Sequence, residues 1–144
     1  MTSTAYIRSA DVRKDFSSTI DNAVYIRPQF IRRTRNHVVM LGEQMLNQIL
    51  SHTILPVSIY EENGEYLAVN DVIEDLIGYG STVDEATDSF CRALMEYAEE
   101  YYEEFELYSH SPNRKEHLPY VFRVLSSPSE SAVKEMLQCQ IGKK

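Results

Sequence analysis

Val57-Ser58-Ile59-Tyr60-Glu61-Glu62-Asn63-Gly64-Glu65-Tyr66-Leu67-Ala68-Val69 sets two alternating apolar runs on either side of an Asn-Gly pair. Asn and Gly tolerate the positive φ that a two-residue connection demands, so the stretch reads as a β-hairpin. Downstream, Val72 to Tyr79 reads as a third short strand or loop, and Thr82 with Glu85 three residues on forms a capping box for the next helix. Val83, Ala86, Phe90, Leu94, Tyr97, Tyr101, Phe105 and Tyr108 then recur every three or four residues, a stripe that lets one long helix cover a sheet. Strands followed by a covering helix make the fold class α+β.

Beyond that helix, residues 109–119 read as a linker closed by Pro119. Tyr120-Val121-Phe122-Arg123-Val124-Leu125 has strand character, and 129–141 places Ala132, Val133, Met136, Leu137 and Ile141 on one helical face. A strand and helix of this size must dock on the middle segment or on a partner to cover their apolar surface.

Upstream, Val12, Phe16, Ile20 and Ala23 are spaced as one face of an amphipathic helix with Ser9 or Ala10 at its N-cap, which leaves Arg13 and Ser17 exposed. After Pro28 a hairpin is expected, with a turn at Arg35-Asn36, a tip carrying Arg32, Arg33 and Arg35, and the strand His37-Val38-Val39-Met40-Leu41. A second helix from Gly42 to about Ser51 would direct Met45, Leu46, Ile49 and Leu50 inward. Some fifty residues bury little, and an open Val38-Val39-Met40 edge favours dimerisation through the sheet. A two-fold dimer would bring two Arg13 helices and two arginine-rich tips to one surface.

The net charge of −8 conceals segregation. Residues 1–52 hold 7 Lys or Arg against 4 Asp or Glu, residues 53–108 hold 1 against 15, and residues 109–144 hold 6 against 3. A basic head, an acidic middle and a mildly basic tail imply surfaces with different partners, and domains are expected at 1–52, 53–108 and 109–144. Glu96, Glu99, Glu100, Glu103 and Glu104 are helix neighbours with no Lys or Arg among them, and like charges at those spacings cost roughly 0.2–0.5 kcal/mol per pair. That repulsion is explained if the face meets a basic partner, with Tyr102 as an aromatic anchor.

The remaining motifs argue against catalysis. Cys91 and Cys139 lack metal-ligand spacing and are expected as free thiols, and His37, His52, His110 and His117 show no ligand pattern either. Asp71, Glu74, Asp75 and Asp84 could supply hard oxygen ligands, which keeps a metal-dependent nuclease as an alternative reading. Neither a glycine-rich phosphate loop nor a GxSxG motif occurs, so no cofactor and no enzymatic activity are expected. No apolar run approaches a membrane span, and Met1-Thr2-Ser3-Thr4-Ala5 lacks a secretory pattern, so the expectation is a cytoplasmic chain.

Two resemblances follow. Ile7 to Asp21, Pro28-Gln29-Phe30-Ile31-Arg32-Arg33 and Val38-Val39-Met40-Leu41 resemble the Phd/YefM (prevent-host-death) antitoxin family over residues 4–52. That resemblance implies a strand-helix-hairpin-helix dimerisation domain contacting operator DNA through Arg13 and Arg33, with Arg8, Ser9, Arg32 and Arg35 completing the candidate set. The hairpin, the Gly80-Ser81-Thr82-Val83-Asp84-Glu85-Ala86 helix start and the long helix are similar to the HicB-like antitoxin fold over residues 54–106. This implies a partial ribonuclease-H-like domain that has lost catalysis and binds a toxin, here through Glu96, Glu99, Glu100, Tyr102 and Glu103. Together they imply a type II antitoxin, a homodimer or higher, that neutralises a basic toxin and autorepresses its operon. A transcriptional regulator without a toxin partner is the other reading.

Overall fold

The computed structural model describes residues 6–142, and the chain divides into two compact units, Met1–Gln48 and Ile49–Lys144. The first unit runs β1 (Tyr6–Arg8), α1 (Ser9–Lys14), α2 (Phe16–Tyr25), β2 (Gln29–Arg33), β3 (Asn36–Met40) and α3 (Glu43–Ile49). β2 is central in its sheet, parallel to β1 and antiparallel to β3.

The single amphipathic helix expected here is two. Asp15 leaves the helical region at φ −148° and ψ 74°, and its carboxylate accepts the Ser18 N–H at 3.1 Å, capping α2. Short acidic side chains favour that position because they satisfy a free amide at a helix start. The break re-phases the chain: Val12 stays buried, but α2 buries Thr19 and Ala23 and leaves Phe16, 53% exposed, and Ile20 on the surface. Arg8, not Ser9 or Ala10, is the N-cap of α1. The hairpin turn lies one residue earlier than expected, with Thr34 at φ 53° and Asn36 already paired with Arg33. Helix α3 is shorter than expected and buries no residue, and Met45 and Ile49, expected inward, are exposed.

The second unit holds β4 (Leu55–Glu62), β5 (Glu65–Val69), β6 (Gly78–Gly80), α4 (Val83–Glu103), α5 (Phe105–His110), a 3₁₀ turn (Lys115–His117), α6 (Leu118–Leu125), α7 (Glu130–Lys134) and β7 (Leu137–Ile141). Its sheet has the order β6-β5-β4-β7. β4 and β5 form the antiparallel hairpin, with Asn63 at φ 54° and Gly64 at φ 81°. Parallel pairing of β7 with β4 requires a long crossover, which α4 to α7 supply.

Strand periodicity sends Leu55, Val57 and Ile59 to one face, where they meet Phe90, Leu94 and Tyr101 of α4 in a core completed by Val121, Val133 and Met136. Thr82 caps α4 by accepting the Glu85 N–H at 3.1 Å, and the Glu85 carboxylate accepts from Ser81 N at 2.7 Å. Gly78 lets α4 lie directly on β6: a Cβ there would stand 2.5 Å from the Ala86 carbonyl oxygen and the Phe90 nitrogen.

The C-terminal region differs most from expectation. Residues 118–125 form a helix, not a strand, because Pro119 suits a first helical turn and Val121 and Val124 then face inward together. The helix expected over 129–141 stops at Lys134, and Leu137–Ile141 joins the sheet as a strand. Residues 109–119 are structured too, containing the end of α5 and the 3₁₀ turn.

Candidate functional site

In the first unit the alternation of β2 sorts its arginines. Gln29 and Ile31 are buried under α1 and α2, and Arg33 belongs to the same side of the strand. Arg13 is exposed on α1, whose Val12 packs into that layer. Arg33 and Arg35 flank Thr34 at the exposed tip, where a β-branched residue is held at positive φ. Ser9 opens α1 and is partly buried.

Arg32 faces the other way. It is paired in register with Arg8 on β1 and His37 on β3, and its guanidinium lies 4.6 Å from the Tyr6 ring centre. Tyr6 in turn packs edge-on against Phe30 and tilted against His37. Arg8 is drawn into a 3.2 Å ion pair with Asp11. Alternation along β2 therefore sets Arg32 on the opposite side from Arg33, while Arg13 and Arg35 are exposed on α1 and at the hairpin tip. Arg8 is exposed and paired, and Arg32 is half-buried by its stack.

In the second unit Glu96, Glu99, Glu100 and Glu103 lie exposed on α4 and Glu104 is exposed at its C-cap, with Tyr102 at 63% exposure among them. Glu100 accepts the Tyr108 hydroxyl proton at 2.8 Å and so has a structural tie the others lack in the described network. Arg92 stands one turn before Glu96, whereas Glu99, Glu100 and Glu103 have no Lys or Arg three or four residues away to relieve their repulsion.

Spacing along the chain did not reveal a third cluster. Asn70 is buried and clamps its own loop: its side-chain oxygen accepts from Val72 N at 3.0 Å and Ile73 N at 2.6 Å, and its amide donates to the carbonyls of Ile73 and Leu76. His117 Nε2 donates to the Val72 carbonyl at 2.9 Å, while its Nδ1 accepts the Tyr97 hydroxyl proton at 2.7 Å. Arg114 donates to the Tyr97 oxygen at 3.3 Å and stacks 4.3 Å from the centre of Tyr108. A cleft of about 510 Å³ opens beside this network, with Asp71, Glu74, Asp75 and Glu116 on its walls. Only the aromatic members, on the α4 stripe, carried a signal in the sequence.

Burial pushes the His117 pKa down, the Val72 carbonyl opposes it, and Arg114 adds to the depression. With the ring neutral, Nε2–H serves the Val72 carbonyl and the bare Nδ1 serves the Tyr97 hydroxyl. The unfolded chain therefore takes up the proton first, and stability falls as pH drops through about 6.5 toward the lower folded value. The fall in Tm between pH 7.5 and pH 5.5 is expected to be smaller in His117→Gln than in the parent chain; equal falls would place the pH sensitivity elsewhere.

Among the described residues, no three His, Cys, Asp or Glu side chains are placed to hold a metal ion, and Cys91 and Cys139 are free. No helix among them is long and apolar enough to cross a membrane. No curated protein sequence matches the chain. A crystal structure from Syntrophomonas wolfei subsp. wolfei, titled as the antitoxin part of a candidate toxin/antitoxin system, superposes with a TM-score of 0.90 at 28% identity. The match covers 95% of this chain and 99% of that one. The family model described as PHD_like, antitoxin of toxin-antitoxin, RelE / RelB, TA system, matches residues 3–139. The chain belongs to the PHD_like antitoxin family.

The PHD_like match runs through both units without interruption, where the sequence reading joined two resemblances. As an antitoxin of a toxin–antitoxin system, this PHD_like chain has a toxin as its implied partner. The α+β architecture with two mixed sheets agrees with the fold of the Syntrophomonas antitoxin.

Proposed function

We propose that the chain is a type II antitoxin that binds operator DNA as a dimer through its first unit and neutralises a basic toxin through its second, in the manner of Phd/YefM and HicB-like antitoxins. The observation that carries this reading is the separation of charge onto two folded units. An exposed arginine tip lies in one, and an exposed glutamate ridge in the other. The dimer is supported by the apolar surface of the first unit: Phe16, Ile20 and Val24 line one side of α2, and Val38 and Val39 lie on the outer strand β3. Arg13, Arg33 and Arg35 are the DNA contacts this geometry favours. Arg8 and Arg32 shape the sheet face.

Gel shifts on the DNA upstream of the coding region test the first half. Arg13→Ala with Arg33→Ala removes four arginines per dimer and is expected to weaken binding about 1,000-fold or more, at roughly 1–1.5 kcal/mol per phosphate contact. The parent's log–log salt slope should also be steeper, by about 0.9 for each contact removed. Arg32→Ala is expected to cost stability more than affinity. Equal shifts for the double variant and the parent would overturn the DNA assignment. Copurification of a small basic protein encoded beside the gene tests the second half, and a chain that represses but captures nothing would be a regulator without a toxin.

A further inference from the structure

Among the described residues the outer strand β7 pairs with β4 on one side and with no strand on the other. Leu55 N donates to the Met136 carbonyl and Gly142 N to the Ile59 carbonyl, both at 2.8 Å. Alternate residues of a strand direct their N–H and C=O groups to the same side, so Gln138 and Gln140 also point toward β4. Leu137, Cys139 and Ile141 point theirs outward, away from the sheet.

Proteins usually blunt such an edge with lysine, proline, a bulge or a covering element. Leu137-Gln138-Cys139-Gln140-Ile141 contains no charge and no proline, its register with β4 is unbroken, and Ile141 is 72% exposed. The strand is also self-complementary about Cys139, with apolar, amide, thiol, amide and apolar side chains in both directions. An isologous two-fold contact demands that property, since each residue meets its mirror position, whereas a different partner does not.

We propose that β7 pairs antiparallel with β7 of a second copy of this chain about a two-fold at Cys139, joining two four-stranded sheets into one. Leu137 then lies opposite the partner's Ile141, and Gln138 opposite the partner's Gln140. Leu137, Cys139 and Ile141 exchange their outward backbone hydrogen bonds, at Cα separations of about 5.5 Å. The neutral strand admits this occupant where the rest of the acidic unit would repel it. Residues 49–144 hold 18 Asp or Glu against 7 Lys or Arg, and a neutral strand is where two such units can meet without opposing like charges. A basic toxin finds nothing to attract it there. The contact is separate from the dimer proposed for the first unit and needs neither toxin nor DNA.

A short thiol-to-thiol bismaleimide tests it on the full chain, because Cys139 is exposed and Cys91 buried. A covalent dimer is expected that is lost in Cys139→Ser. Its yield should fall at least tenfold in Ile141→Pro, whose outward N–H bonds nothing in β4, and in Ile141→Lys, with unchanged melting curves for both. The yield should hold or rise with salt, which screens repulsion between acidic units, whereas toxin and DNA binding weaken. The proposal is overturned if Cys139 reacts fully but only singly, if the Ile141 variants crosslink like the parent, or if Cys139 crosslinks to a bound toxin instead.

Discussion

Gly78→Ala is expected to lower the unfolding free energy of the second unit by about 3 kcal/mol or more, at the upper end of overpacking costs. The added Cβ would stand 2.5 Å from two backbone atoms of α4, and backbone cannot turn aside as a side-chain tip can. The helix must lift from β6, which loosens Phe90 beneath it, a residue with no exposed surface. Gly64→Ala is the control. Its φ is +81° but nothing lies within 4 Å of the new Cβ, so its expected cost is the left-handed strain alone, about 1 kcal/mol. Urea unfolding of the two variants measures the difference, and equal costs would mean that α4 does not rest on the sheet as closely as described.

The second large effect concerns the glutamate ridge. Replacing Glu96, Glu99 and Glu103 together by glutamine is expected to weaken capture of a basic toxin about 100-fold, at roughly 1 kcal/mol per lost charge pair. The free chain should respond in the opposite sense. Removing like charges three and four residues apart relieves a few tenths of a kcal/mol per pair, so its Tm should hold or rise. Calorimetric titration beside thermal melting reads both. A variant that binds as before, or one that loses binding only because it unfolds, would sink the assignment. Glu100 is left out because its carboxylate holds Tyr108.

These two experiments probe features of different legibility. The hairpin at Asn63-Gly64, the Thr82 cap and the stripe from Val83 to Tyr101 were readable because each is encoded within a few residues, but the one long helix expected through Tyr108 breaks at Glu104, and Phe105 and Tyr108 fall in α5. Asp15 was a capping residue in the middle of an apolar period, and a period alone cannot show that the helix restarts there. The run Tyr120 to Leu125 fits a strand or a helix equally, and contact with α4 decides between them. The same holds for Leu137 to Ile141, whose helical spacing is overridden by the hydrogen bonds that β4 offers.

On the candidate surfaces, composition revealed the charge but not its direction. Period-two alternation along β2 sets Arg32 apart from Arg33, and the Tyr6 stack that holds Arg32 crosses from β1. Asn70, Tyr97, Arg114 and His117 are scattered over nearly fifty positions, so their network exists only once the crossover has folded.

That crossover also orders events in time. β7 supplies the neighbour on the free side of β4, and Val133 and Met136 just ahead of it fill the core against which α4 rests. The glutamate ridge therefore emerges from the ribosome some forty residues before the groups that steady its helix. The arginine tip depends only on residues already made, and domains fold as units in order of synthesis. A nascent chain thus completes the proposed DNA-contacting tip before the proposed toxin-contacting ridge is steadied.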